Sequence, residues 1–152
     1  MEIIIDNREN NIIKILETKE EFIKKNLDLG DIQYIQNNDI VYIIERKTFD
    51  DLGASIKDGR YKEQKMRLLS NNSDIYYILE GNIDKCKTIN KKALLGSIVN
   101  MIFRDNIKVI FSENIEQTVE IIIQIKKKFN EGKFFKNKID NEYVNSIKSI
   151  RA

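Results

Sequence analysis

The 152-residue sequence contains no histidine, no proline and no tryptophan, a single cysteine and only six glycines. Without imidazole there is no His metal ligand, no His general base and no Ser–His or Cys–His nucleophile pair. Any chemistry falls to carboxylates, amines and hydroxyls. The lone Cys86 excludes an intrachain disulfide and a thiolate zinc cluster, and it points to a reducing, intracellular setting. Residues Met1 to Asp6 lack the basic segment and longer apolar run of a signal peptide, so secretion by that route is not expected. No apolar stretch approaches membrane-spanning length, so no membrane association is expected. With 41% hydrophobic residues the chain can build one core, which predicts one domain.

So few turn markers leave the elements to be read from periodicity. Residues 2–5 form a short β-branched run, Asn10 to Glu17 is amphipathic, and strands are expected at Glu21 to Leu27 and Asp31 to Gln36. Asn37-Asn38-Asp39 marks a turn into the β-branched, aromatic run Ile40 to Lys47, which predicts a hairpin. Helical spacing follows from Thr48 to about Ser70, interrupted or bent near Gly59. Then come a strand over Asp74 to Glu80, a helix over Lys91 to Phe103, a strand over Ile107 to Phe111 and a helix over Ile115 to Phe129. A hairpin-rich first half followed by alternating helices and strands predicts an α/β sandwich on a mixed sheet.

The formal net charge of +2 hides an asymmetry, because residues 121–152 hold eight basic side chains against three acidic ones. The body is therefore slightly acidic. A basic tail is commonly a solvated helix face, and it is also able to follow a phosphate backbone.

Glu45 and Lys47 lie two apart on one expected strand and so share a face, while Arg46 faces the other way. Asp31 opens the neighbouring strand after Gly30, and Asp6 closes the first strand, so three carboxylates are able to converge at strand ends. Carboxylate oxygens without imidazole suit Mg²⁺ or Mn²⁺. An acid pair with a nearby lysine suits metal-assisted phosphodiester hydrolysis, although Glu-x-Lys alone is also an ordinary surface salt bridge. Arg60, Gln64 and Arg67 share a helical face suited to phosphate contacts, or to structural pairing with Asp58, Glu63 or Glu80. Thr48-x-x-Asp51 is also a helix capping box. Tyr42, Tyr76 and Tyr77 read as core or sheet-edge residues rather than base-stacking platforms.

The run Ile44 to Leu52 (Ile-Glu-Arg-Lys-Thr-Phe-Asp-Asp-Leu), with Ser55 to Leu68 after it, resembles the nuclease domain of the XPF/Mus81 (ERCC4-type) family of structure-specific endonucleases, nearest the Mus81 branch. The family's Glu-Arg-Lys-x-x-x-Asp signature falls on Glu45, Arg46, Lys47 and Asp51. Its preceding Gly-Asp falls on Gly30-Asp31, and its first-strand Asp with Arg-Glu falls on Asp6, Arg8 and Glu9. The resemblance implies a restriction-endonuclease-like (PD-(D/E)XK) three-layer α/β sandwich over residues 1–130. A basic, partly helical tail at 131–152 follows, without the helix-hairpin-helix module that usually comes next in the family.

The resemblance also implies metal ligation by Asp6, Asp31 and Glu45, catalytic roles for Asp31, Glu45, Lys47 and Asp51, and Mg²⁺ or Mn²⁺ as cofactor. It implies incision near 3′ flaps, forks and nicked junctions, wherever DNA is processed, in a nucleus or at a cytoplasmic replication site. Arg8, Arg46, Arg60, Gln64 and Arg67 are the expected DNA contacts, with Arg46 also placed to orient a neighbouring carboxylate. Pairing as a homodimer or heterodimer is expected. Ile121, Ile122, Ile123 and Ile125 crowd the last helix more densely than one buried face requires, which makes that helix the expected pairing surface. Two other readings stand beside this one: a non-catalytic DNA-binding or scaffold subunit of a heterodimer, and a Holliday-junction-resolvase-like nuclease.

Overall fold

The computed structural model describes residues 1–135 and 145–147. A six-stranded sheet runs in the order β2-β1-β3-β4-β5-β6, with β1 at Glu2–Asp6, β2 at Ile23–Lys25, β3 at Ile32–Gln36, β4 at Asp39–Thr48, β5 at Asp74–Glu80 and β6 at Lys108–Ser112. The sheet is mixed: β1 runs antiparallel to β3 and β3 to β4, while the β1–β2, β4–β5 and β5–β6 pairs are parallel. The β3–β4 loop is only Asn37 and Asn38, at φ of 52° and 67°. Two successive left-handed residues match the twist of a tight hairpin, and asparagine tolerates that conformation better than most side chains.

Five helices cover the two faces: α1 (Asn10–Leu16), α2 (Phe49–Lys57), α3 (Arg60–Leu69), α4 (Lys91–Phe103) and α5 (Ile115–Asn130). Along β4, Ile44 turns toward the core shared with α1 and α5, where Ile12, Leu16, Val119 and Ile122 are buried. Ile43 turns toward the core shared with α2, α3 and α4, where Leu52, Leu68, Leu94 and Met101 are buried. Strand periodicity thus feeds two cores from one sheet, and the expected three-layer sandwich is realised.

The helical stretch expected over residues 48–70 is interrupted at Gly59, as expected there, and forms two helices. Gly59 adopts φ +82° between α2 and α3, a left-handed conformation that a helix cannot contain. Strand β2 is three exposed residues rather than the expected seven, because Leu27 leaves the sheet edge and is buried with its N–H on the Asp6 carboxylate. Ile121, Ile123 and Ile125 pack against the α1–α5 core. The most exposed apolar helix face is instead on α4, where Leu95, Val99, Ile102 and Phe103 point outward. No helix among the described residues is long and apolar enough to cross a membrane. The partly helical tail expected at 131–152 is described only at 131–135 and at a helical turn over 145–147, and the rest lies outside the described residues.

Candidate active site

Gly30 sits at φ +73°, and a Cβ there would stand 2.5 Å from Ile43 Cγ2 and 3.1 Å from the Ile44 carbonyl oxygen. Only glycine lets the chain pass this close to β4. The next residue, Asp31, is thereby held against β4 by hydrogen bonds at both ends: its N–H donates to the Ile44 carbonyl at 2.8 Å, and its Oδ2 accepts from the Arg46 N–H at 2.8 Å. Asp31 is raised above the ordinary carboxylate value, chiefly by burial. Glu45, one residue along β4, is pushed up to about 8 by burial first and the neighbouring Asp31 second. Two like charges held together in poorly hydrated surroundings disfavour each other's ionised form.

Lys47 shares the Glu45 face, and its Nζ donates to the buried Ser55 Oγ of α2 at 3.0 Å. Arg46 projects to the opposite face and makes a forked pair with Glu80, Nε to Oε1 at 2.9 Å and Nη2 to Oε2 at 2.7 Å, while Nη1 reaches Glu9 at 3.0 Å. Thr118 Oγ1 donates to the same Glu80 at 2.6 Å. The Arg46 guanidinium thus pairs with two carboxylates, Glu80 and Glu9, an arrangement suited to a positioning side chain.

Cavities of about 220 Å³ and 350 Å³ flank the acid pair, and Asp31 and Glu45 line both. Glu9, Arg46, Lys47, Asp51 and Arg60 border the smaller one, whereas Arg8, Gln64 and Arg67 border the larger. Asp51 therefore joins the site, and the Thr48 hydroxyl also caps its N–H at 3.1 Å, so the cap and cavity positions coexist. Arg60 pairs with Asp58, and Arg67 Nη2 donates to the Asp28 carbonyl at 3.2 Å, so Asp58 is the partner found among those expected for this face.

Asp6 departs from the expected convergence. Its backbone N–H bonds the Asp31 carbonyl, which brings the strand ends together, but its carboxylate is buried against Arg8. Oδ1 accepts from the Arg8 backbone N–H and Nε, and Oδ2 accepts from Arg8 Nη2 and the Leu27 N–H. These donors, the Arg8 side chain foremost, hold Asp6 well below the usual carboxylate range. Glu9 faces the smaller cavity in its place. Its position in the Asp6-x-Arg8-Glu9 run was the available signal, but the turn after β1 decides which acid points inward.

Among the described residues no group of three or more acidic or Cys side chains stands at a spacing that would enclose a cation. Asp31 and Glu45 are the carboxylate pair shared by both cavities, and that set fits Mg²⁺ or Mn²⁺, which accept one or two protein carboxylates and keep waters and substrate oxygens for the rest. A dication there would also offset the repulsion that raises Glu45.

The model of the ERCC4 domain matches residues 5–125 of the chain. The "Probable crossover junction endonuclease mus81" of Dictyostelium discoideum is 33% identical over 88% of the chain, and the "ERCC4 domain-containing protein EP364R" of an African swine fever virus isolate is 31% identical over 81%. The aligned regions span 18% and 40% of those proteins' own lengths. The solved structure of XPF from Aeropyrum pernix superimposes with a TM-score of 0.76 at 23% identity, covering 93% of this chain and 67% of that one, which establishes the shared fold. A second structure, of the same protein in complex with DNA, superimposes with a TM-score of 0.71 at 22% identity, over 89% of this chain and 68% of that one. The match over residues 5–125 and the shared fold together place this chain in the ERCC4 domain family, the XPF/Mus81 nuclease-domain family.

Proposed function

We propose that the chain is a metal-dependent DNA endonuclease that hydrolyses phosphodiester bonds near branch points such as 3′ flaps, forks and nicked junctions. The observation that carries this reading is the Asp31–Glu45 pair, half-buried, mutually repelling and lining two cavities, with Lys47 bordering the smaller one. Asp31 and Glu45 would hold Mg²⁺ or Mn²⁺, with Asp6 joining them where Arg8 leaves it for a phosphate. The bound ion would polarise the phosphoryl oxygen and lower the pKa of a water.

Lys47, tethered to Ser55, places a positive charge beside the reacting phosphate and orients the attacking water. Asp51 borders the same cavity and accepts hydrogen bonds from that water. Arg8, Arg60, Gln64 and Arg67 face the approach to the acid pair and hold the DNA backbone. The Aeropyrum pernix XPF structure in complex with DNA makes DNA the natural ligand to test. The scaffold reading is weakened by the presence of Asp31, Glu45, Lys47 and Asp51 together in one place.

Pairing is proposed through α4, whose outward face carries Leu95, Val99, Ile102 and Phe103, rather than through α5. A panel of labelled flap, fork, nicked and intact four-way junctions with Mg²⁺ or Mn²⁺ tests the activity. Flap or fork cutting that disappears in Glu45→Gln and Asp31→Asn, with folding retained, supports the proposal. Preference for the intact four-way junction favours the resolvase-like reading, and DNA binding without cutting favours the scaffold.

A further inference from the structure

Three buried side-chain atoms among the described residues have no hydrogen-bond partner: Tyr61 Oη, Gln64 Oε1 and Tyr77 Oη. Tyr61 and Gln64 lie on α3, and Tyr77 lies on β5. Tyr77 is fully buried, and the Tyr61 ring stands edge-on to it with centroids 6.4 Å apart. A buried polar atom left alone is costly, so Tyr77 Oη and Gln64 Oε1 call for a group that satisfies them.

Their position identifies what that group touches. Tyr77 is the β5 residue in register with Glu45 of β4, so in this parallel pair the two side chains leave the same face of the sheet as neighbours. Gln64 borders the cavity that Asp31 and Glu45 line. A phenol O–H is a donor, an amide oxygen is an acceptor, and the Glu45 carboxylate is an acceptor. One water would serve two of the orphan atoms and the carboxylate, accepting from Tyr77 Oη and donating to Gln64 Oε1 and to Glu45. Buried waters commonly make about three such bonds.

We propose that Tyr77 and Gln64 hold a buried water that orients the Glu45 carboxylate toward the cation site, which makes them positioning residues for the metal ligand. The inference rests on the proposed metal-dependent nuclease reading. Tyr77→Phe removes one oxygen and keeps the ring. A merely structural hydroxyl without a partner would leave, on removal, a protein as stable as before or more so, with the site untouched. A positioning hydroxyl instead weakens the metal, and removal of a residue supporting a ligand typically costs about tenfold or more in affinity.

The test measures Mn²⁺ affinity of the full chain by electron paramagnetic resonance, thermal unfolding, and flap cleavage over a range of DNA concentrations. Tyr77→Phe is expected to weaken Mn²⁺ binding about tenfold, to lower kcat and to leave KM for DNA unchanged. Gln64→Met should weaken Mn²⁺ binding in the same direction, and the double variant should be no worse than the poorer single one, because both changes remove the same water. Unchanged Mn²⁺ affinity in Tyr77→Phe, or full additivity in the double variant, overturns the proposal while leaving the nuclease reading intact. A wild-type chain that neither binds Mn²⁺ nor cleaves DNA overturns both.

Discussion

Replacing Glu80 by Gln tests whether the Arg46 fork behind β4 holds the site together. The substitution is isosteric and removes only charge and one acceptor. In the native protein Glu80 is 10% and Arg46 20% exposed, and the carboxylate accepts three side-chain hydrogen bonds of 2.6–2.9 Å from Arg46 and Thr118. A glutamine amide would present its NH₂ group to a guanidinium or a hydroxyl, leaving one donor facing another. Breaking a fully buried pair costs about 3–5 kcal/mol. Arg46 keeps Glu9 at 3.0 Å and is partly hydrated, so about 2–3 kcal/mol is the expected loss after that discount. For a domain of this size the loss corresponds to a fall in Tm of about 4–12 °C.

Urea denaturation gives the assay, with a lower midpoint and an unchanged m-value as the signature of lost stability alone. Acid provides an independent check. Burial alone would raise Glu80, yet the Arg46 and Thr118 hydrogen bonds outweigh it and hold the group below its ordinary value. A depressed carboxylate contributes stability that is present above its unfolded value of about 4.3 and is lost as pH falls through the folded value. The gap between wild type and Glu80→Gln should therefore be full at pH 7 and close in acid below about pH 4. A loss under about 0.5 kcal/mol at pH 7, or a gap that persists in acid, would show that the fork is not what braces β4.

Gly30→Ala combines a left-handed backbone with a Cβ 2.5 Å from Ile43 Cγ2, so it should cost at least about 2 kcal/mol in urea unfolding. Glu45→Gln removes one of two repelling carboxylates and should raise the urea midpoint in metal-free buffer by about 0.5–2 kcal/mol equivalents while abolishing cleavage; a destabilised variant would contradict the repulsion assigned to the pair. Arg67→Ala should weaken binding to all DNA sequences alike and reduce the salt slope by about one, measured by fluorescence anisotropy between low and moderate salt. Phe103, 84% exposed, when changed to Glu should convert any dimer seen by sedimentation into monomer without lowering Tm, and an unaltered dimer would remove α4 from the interface.

Much of this fold is legible in the sequence because its elements carry strong periodicity. The run Asp74 to Glu80 is apolar between acids and becomes β5, and Lys91 to Phe103 has an Asn90 cap and becomes α4. Period-two alternation likewise placed Glu45 and Lys47 on one face and Arg46 on the other. What sequence spacing could not decide lies in turns and in tertiary packing. Asp6 and Glu9 are three apart, and only the hydrogen bonds of the Asn7–Arg8 turn determine that Asp6 is enclosed by Arg8 while Glu9 meets the cavity. The isoleucines of α5 looked excessive for one face, but α1 and the sheet surround that helix widely enough to take Ile121, Ile123 and Ile125 as well as Ile122. The uncovered face of α4 was harder to see, since a helix apolar nearly all round gives no sign of which side the sheet will claim.

The arrangement of charges at the strand ends has a consequence for how metal and DNA would meet under the proposed function. Asp6 is paired with Arg8, and Arg46 is shared between Glu9 and Glu80, which leaves Asp31, Glu45 and Asp51 around Lys47. With these carboxylates ionised, the inner site carries a net negative charge and repels a phosphate. A dication offsets that charge, so the same pocket then admits the DNA backbone. Had Arg46 shared the face of Glu45, a fixed guanidinium would occupy the carboxylates and compete with the cation. Strand alternation prevents this by sending Arg46 through to Glu80, where it braces β4 from behind and presents its own N–H to Asp31. The Glu-Arg-Lys order thus places ligand, brace and catalytic amine on successive residues while keeping the permanent cation out of the metal's place.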